Sequence, residues 1–222
     1  MADTATGRGG GREHQRVGAD QEQLWVLRAR GGDPEAFAKL VELYQTPIHN
    51  LAYRMLGGAT DAEDATQETF LRVYTRLDTY DPSRKFSSWI LSIASHYCVD
   101  LLRRRRGNWL SVEEIRAWHW VPDKSPKPEA ITIGHERRDS IRRLLDQLPP
   151  HYRLVIVLRY WYGLSYEEMA EVTQSTKSAV KSRLHRARRT MAVKLAEAQA
   201  GKDVEDAAEE RRVRRNAVSG GF

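Results

Sequence analysis

The chain has 222 residues, 41% hydrophobic and 30% charged, with a formal net charge of +6; this supports small packed cores under a charged surface and favours a polyanionic partner, in one domain or two. Its longest apolar stretches, such as residues 154–158, fall far short of the ~20 residues that span a bilayer, and no apolar signal-peptide core opens the chain, so a cytoplasmic protein without membrane insertion is expected. The single cysteine, Cys98, leaves no internal disulfide and no zinc-type cluster and reads as a small core residue; neither metal nor cofactor is expected.

Residues 1–20 are rich in Gly, Arg and small polar residues without periodicity, which predicts a disordered arm. A helical pattern starts at Gln21. Asp33-Pro34-Glu35 is a good helix start, followed by Phe37, Leu40, Val41 and Tyr44 at helical spacing, with Pro47 and then Gly57-Gly58 as punctuation. From Asp61 to about Leu77 the faces segregate: Phe70, Val73 and Leu77 share one side, Asp61, Asp64 and Glu68 the other. The stretch from Tyr80 to Lys85 breaks the period as a loop. The next helix carries Trp89, Ile90, Ile93, Ala94, Tyr97 and Leu101 on one stripe, with Ser92, His96, Val99 and Arg103 on the side away from it, and ends in the arginine run 103–106.

Residues 107–136 hold Pro122, Pro126, Pro128 and scattered polar groups, the composition of an extended linker, so a domain boundary falls there. Helical spacing resumes through Ile141, Leu144, Leu145 and Leu148, stops at Pro149-Pro150, and returns over 152–162 until Gly163. No strand pattern of useful length occurs, so the fold class is all-α. Ser165-Tyr166-Glu167-Glu168 matches a capping box, opening a short helix with Met169, Ala170 and Val172 inward. After the polar turn Thr173-Gln174-Ser175, Val180, Leu184, Ala187 and Met191 form an apolar seam. Opposite it lie Ser178, Ser182, His185 and Arg189 among Lys177, Lys181, Arg183, Arg186 and Arg188. Short helix, turn and longer basic helix make a helix-turn-helix, in which small residues allow close approach and cations meet phosphates and guanines.

These residues carry a family resemblance. Val180-Lys181-Ser182-Arg183-Leu184-His185-Arg186-Ala187-Arg188, preceded by Leu164-Ser165-Tyr166-Glu167-Glu168-Met169-Ala170, resembles the C-terminal signature of the extracytoplasmic-function sigma factors, group 4 of the sigma-70 family. Asp61-Ala62-Glu63-Asp64-Ala65-Thr66-Gln67-Glu68-Thr69-Phe70 is similar to the family's polymerase-binding helix. Phe86-Ser87-Ser88-Trp89-Ile90, with Asp100-Leu101-Leu102-Arg103-Arg104, is similar to its minus-10 region. The blocks run in the family's order over residues 31–195. Gln174 and Ser175 depart from the pattern, standing where the family often has Gly and an apolar residue.

The resemblance implies two small helical domains joined by a flexible linker: sigma region 2 over 21–106, a linker over 107–136 that threads toward the polymerase channel, and sigma region 4 over 137–196, followed by a charged tail over 197–222. It implies a non-enzymatic protein whose partners are core RNA polymerase, through the clamp of the largest subunit, promoter DNA, and an anti-sigma factor. Carried onto matching positions, the polymerase surface is Asp61, Glu63, Asp64, Gln67, Glu68 and Leu71. The minus-10 surface is Tyr80, Arg84, Lys85, Phe86, His96, Arg103 and Arg104, with Trp89 assigned to core packing. The minus-35 surface is Lys177, Ser178, Lys181, Ser182, His185, Arg186 and Arg188. Two other readings stand beside this one: a ligand-binding or dimeric regulator that meets palindromic DNA through its helix-turn-helix alone, and a nucleic-acid enzyme using Asp61, Asp64 and Glu68 around magnesium.

Overall fold

In the computed structural model the described residues are 10–105 and 135–197, with side chains over 20–105 and 141–197. Helix α1 (Gly10–Arg30) begins before the Gln21 at which periodicity becomes visible, so the expected disorder does not extend to Asp20. Helix propagates cheaply outward from a packed segment, here Val26 and Ala29, which are buried. Gly32, at φ 87°, lets the chain reverse. Asp33 then caps α2 (Pro34–Leu56), its Oδ1 accepting from the amides of Glu35 and Ala36 at 2.9 and 3.2 Å while Arg28 Nε donates to its other oxygen at 2.8 Å.

Pro47 does not end α2. Tyr44, Ile48 and Leu51 on either side of it are buried, and that packing outweighs the lost ladder bond. The helix stops instead at Gly57, whose left-handed φ of 84° returns its N–H to the Tyr53 carbonyl. Helix α3 (Ala59–Arg76) buries Ala62, Ala65, Thr69 and Val73, and a 3-10 turn (Leu77–Thr79) tucks Leu77 beneath it. Helix α4 (Phe86–Arg105) follows, with Ile90, Ala94 and Cys98 in the core. Burial raises the Cys98 thiol to about 12, as befits an inert core residue.

Beyond residues 106–134, which lie outside the described residues and include most of the linker expected over 107–136, with Trp109, Trp118 and Trp120, come α5 (His135–Asp146), which takes up the last two of those linker positions, and α6 (Pro150–Tyr160). Pro149-Pro150 separates them as expected, Pro150 also serving as the first residue of α6, where no amide is needed. Helix α7 (Tyr166–Val172) opens on its capping box: Ser165 N–H donates to Glu168 Oε2 at 2.9 Å, and Glu168 N–H to Ser165 Oγ at 3.2 Å. Helix α8 runs over 177–197.

The described residues are helical and contain no strand. Two helix sets result, α1–α4 and α5–α8, and they pack against each other: α6 and α7 lie on α4, and α6 also lies on α2. Arg153 is the main peg. Its buried guanidinium donates to the Met55 carbonyl at 2.5 Å and pairs with Asp146 at 3.0 Å, so a cation from one set closes the open carbonyl end of a helix in the other. Tyr162 donates its hydroxyl to the Pro47 carbonyl at 2.5 Å, and Arg54 stacks on the Trp161 ring, 5.3 Å from its centre.

Candidate functional site

Helix α8 presents the face the sequence foresees. Val180, Leu184 and Ala187 are buried, which turns Lys177, Ser178, Lys181, Ser182 and His185 to solvent and leaves Arg186 and Arg188 partly covered. Thr176 Oγ1 caps the helix by accepting from the Ala179 amide at 3.1 Å. Gln174 holds the turn at φ 47°, the left-handed conformation that glycine adopts without strain, and the Ser175 amide closes it on the Ala170 carbonyl at 2.9 Å. The departure from the family pattern therefore leaves the turn intact. Lys177 pairs with Glu167 across that turn. Arg188 is anchored, its Nε donating to the Tyr160 hydroxyl at 2.9 Å with the guanidinium near the Tyr160 ring.

The residues expected to form the minus-10 surface divide. Arg84, Lys85, Arg103 and Arg104 are exposed, and His96 is half-buried. Tyr80 and Phe86 are 6% and 2% exposed, which corrects their assignment as surfaces for an unstacked base in this conformation. The cause is an aromatic cluster: Phe86 meets Tyr80 edge-on with ring centres 5.3 Å apart, Tyr44 at 5.5 Å and Trp89 at 5.6 Å. The Tyr80 hydroxyl donates to the Arg84 carbonyl at 2.5 Å, so the ring also shapes the loop that carries the cations. Trp89 packs against the core as expected.

Ser92 and Val99 are another correction. The sequence sets them opposite the apolar stripe, yet they are 7% and 3% exposed. At about 100° per residue they share a side with Lys85, and Lys85 Nζ pairs with Glu168 of α7 at 2.7 Å. Helices α6 and α7 cover that side. The ion pair and the capping box together pull the Glu168 carboxyl down to about 2, Lys85 being the largest cause. Near the same seam, His151, although its side chain still reaches solvent, is held below its ordinary value by partial desolvation first and then by Arg183, Arg103 and His96, with Asp100 opposing.

On α3, Glu63, Asp64, Gln67 and Leu71 are exposed, Leu71 at 59%. Asp61 and Glu68 are engaged locally: Arg105 grips Asp61 through two bonds of 2.5 and 2.7 Å, and Arg72 holds Glu68 at 2.7 Å. Hydrogen bonds from Arg105 lower the Asp61 carboxyl. Thus one arginine of the basic run has a structural task, fastening the end of α4 to the start of α3. Tyr74, 61% exposed and edge-on to Phe37 with ring centres 5.0 Å apart, extends the apolar part of this face and escaped the sequence reading. So did Arg153, although a charge beside the apolar run 154–158 was its one available signal.

Among the described residues no group of three or more His, Cys, Asp or Glu side chains could hold a metal ion, and no helix is long and apolar enough to cross a membrane.

An all-helical chain with a cationic helix-turn-helix, a second basic helix and an acidic, partly apolar helix face has the makings of a DNA-reading subunit of a larger machine. Residues 40–108 match the model for sigma-70 region 2, and residues 138–191 the model for sigma-70 region 4. The chain is 33% identical over 176 residues to ECF RNA polymerase sigma factor SigW of Bacillus subtilis, covering 77% of this chain and 94% of that protein. It is 32% identical over 173 residues to ECF RNA polymerase sigma-E factor of Escherichia coli K12, covering 75% and 90% respectively. The chain therefore belongs to the extracytoplasmic-function sigma factors, which direct promoter-specific initiation of transcription. Its fold resembles CnrH, solved in complex with the cytosolic domain of CnrY, with a TM-score of 0.59 at 24% identity over 80% of this chain and 98% of that one. It also resembles the sigma factor RpoE of Bartonella quintana, solved with the anti-sigma factor NepR, with a TM-score of 0.52 at 21% identity over 70% and 93%.

Proposed function

We propose that this sigma factor divides its work among three surfaces. Glu63, Asp64, Gln67 and Leu71 of α3, with Asp61 and Glu68 held beside them, dock on the clamp of the largest polymerase subunit. Arg84, Lys85, His96, Arg103 and Arg104 hold the minus-10 element, while Tyr80 and Phe86 act by shaping the loop. Lys177, Ser178, Lys181, Ser182, His185 and Arg186 face the minus-35 element, and Arg188 steadies α8 through Tyr160. The domains keep the bounds 21–106 and 137–196, joined by the linker over 107–136 between an N-terminal arm and a charged tail. The protein is non-enzymatic and cytoplasmic, and an anti-sigma factor is its regulator.

The observation that carries this reading is the segregation of charge: acid gathers on α3, whereas exposed cations gather on α4 and α8. Phosphate repels the first and attracts the others, so one face suits a protein and two suit DNA. Transcription by core polymerase on a promoter library, with and without the chain, is the test. Product should depend on the chain and select a two-element motif. Asp64→Lys with Glu63→Lys should weaken core binding at least about tenfold with helical content unchanged, about 1.4 kcal/mol or more. Equal core affinity would remove α3 from the interface. His185→Ala should change which minus-35 sequences are chosen, at about 1–3 kcal/mol per base contact.

A further inference from the structure

Helix α1 carries none of the residues expected to meet polymerase or DNA, and it precedes the 40–108 segment that matches sigma-70 region 2. It nevertheless reaches both ends of the loop that bears Arg84 and Lys85. At the entry, Arg30 Nη2 donates to the Asp78 carbonyl of the 3-10 turn at 3.3 Å, and the Tyr80 amide closes that turn on the Leu77 carbonyl at 3.2 Å. At the exit, Glu22 Oε2 accepts from the Tyr44 hydroxyl at 2.9 Å, and the Tyr44 ring meets Phe86, the first residue of α4, edge-on with ring centres 5.5 Å apart.

Between these anchors the loop is folded on itself. The Arg84 amide donates to the Asp81 carbonyl at 3.0 Å, the Ser83 amide to Asp81 Oδ1 at 2.9 Å and the Tyr80 hydroxyl to the Arg84 carbonyl at 2.5 Å. Residues 81–85 are exposed, whereas Tyr80 and Phe86 at the two ends are buried, so the ends decide where the cations stand. Helix α1 is itself fixed to α2, through the left-handed Gly32, the Asp33 amide on the Arg28 carbonyl at 3.2 Å and the Arg28 bond to Asp33. Burial raises the Glu22 carboxyl, with the Tyr44 hydroxyl opposing; a half-buried carboxylate loses solvation that mere packing would not require, and here it meets one aimed donor.

We propose that α1 is a positioning element for minus-10 recognition: Arg30 and Glu22 hold the two ends of the 80–86 loop, so that Arg84 and Lys85 meet the DNA strand from a fixed base. Both act through the loop, not by touching DNA. Cations on a held loop lose less freedom on binding than cations on a free one, and a supporting residue a short distance behind the contact sets that freedom. The proposal rests on the assignment of Arg84 and Lys85 to the minus-10 element made above.

The experiment uses holoenzyme assembled from core polymerase and the full chain, with a fluorescent single strand carrying the minus-10 sequence selected in the promoter library. Arg30→Ala should weaken strand binding at least about fivefold by anisotropy, with affinity for core polymerase and for a minus-35 duplex kept within about twofold. Arg30→Lys, which can still donate to the Asp78 carbonyl, should restore strand affinity to within about twofold of the parent. Glu22→Ala should match Arg30→Ala, and Glu22→Gln, which keeps an acceptor for Tyr44, should match the parent. Should Glu22→Ala not fold, the two Arg30 variants decide alone. A role in stability only would weaken strand, core and minus-35 binding together or leave all three intact; either pattern overturns the proposal, as does an Arg30→Lys variant as weak as Arg30→Ala. Arg30→Ala added to Arg84→Ala with Lys85→Ala should cost no further strand affinity, and an additive loss would mean direct contact by Arg30 and overturn the positioning role. If Arg84→Ala with Lys85→Ala leaves strand affinity unchanged, the loop leaves the minus-10 surface and both readings fall. If that pair weakens the strand while the Arg30 and Glu22 variants match the parent, only the role of α1 falls.

Discussion

Helices α4 and α8 carry similar cationic side chains but bury different shares of themselves. Helix α8 buries the seam of Val180, Leu184 and Ala187 and leaves the rest to water. Helix α4 buries one stripe, Ile90 and Ala94, in its own domain and a second, Ser92 and Val99, beneath the C-terminal helices. One helix is amphipathic in the ordinary sense; the other is sandwiched. The difference shows that whether a reading face is open is decided by what packs on it, not by the helix's own pattern.

The sharpest way to break the comparison is to truncate side chains on each face. Leu184→Ala and Ile90→Ala, both at the inner seams, should each cost about 3 kcal/mol. On the outer faces the helices should part: Val99→Ala should cost about 1–2 kcal/mol, His185→Ala no more than about 0.5. Chemical denaturation of the four variants decides it. If Val99→Ala proves as mild as His185→Ala, α4 is not sandwiched in solution.

Acid should loosen the covered face of α4 before the bare face of α8. The His151 value is lowered on folding, so the unfolded chain binds more protons just below the ordinary histidine value, and the stability that neutral His151 contributes is lost as pH falls through that window. Glu168, drawn down to about 2, contributes stability above the ordinary carboxylate range that is lost on further acidification. Melting temperature should thus fall in two stages. His151→Gln should flatten the upper stage and Glu168→Gln the lower; variants that track the parent through both stages would separate these groups from the seam.

The smallest expected effect lies in the turn that sets α8 on its domain. Gln174→Gly should raise stability by about 0.5–1 kcal/mol, because glycine takes the left-handed conformation without the Cβ clash, partly offset by greater freedom in the unfolded chain. An unchanged or lowered denaturation midpoint would mean that the glutamine side chain repays the strain.

Much of this protein was determined by local sequence. Caps at Asp33 and Ser165, the proline at the start of α6 and the seam of α8 depend on neighbours a few residues apart, so they were legible without coordinates. Family order placed sigma-70 regions 2 and 4 on the two helix sets that the structure shows. Pro47 was misleading as punctuation because the buried residues around it hold α2 together from outside its own backbone. Tyr80 and Phe86 looked like stacking surfaces because sequence shows an aromatic's chemistry but not its neighbours; Tyr44, brought from α2, and Trp89, one turn along α4, close the cluster. Arg153 reaching Met55, Arg105 reaching Asp61 and Glu168 reaching Lys85 join residues far apart in the chain. Periodicity fixes the direction of a side chain about its own helix axis and carries no term for what lies opposite, so these partnerships, and with them the covering of α4, were decided by tertiary packing alone.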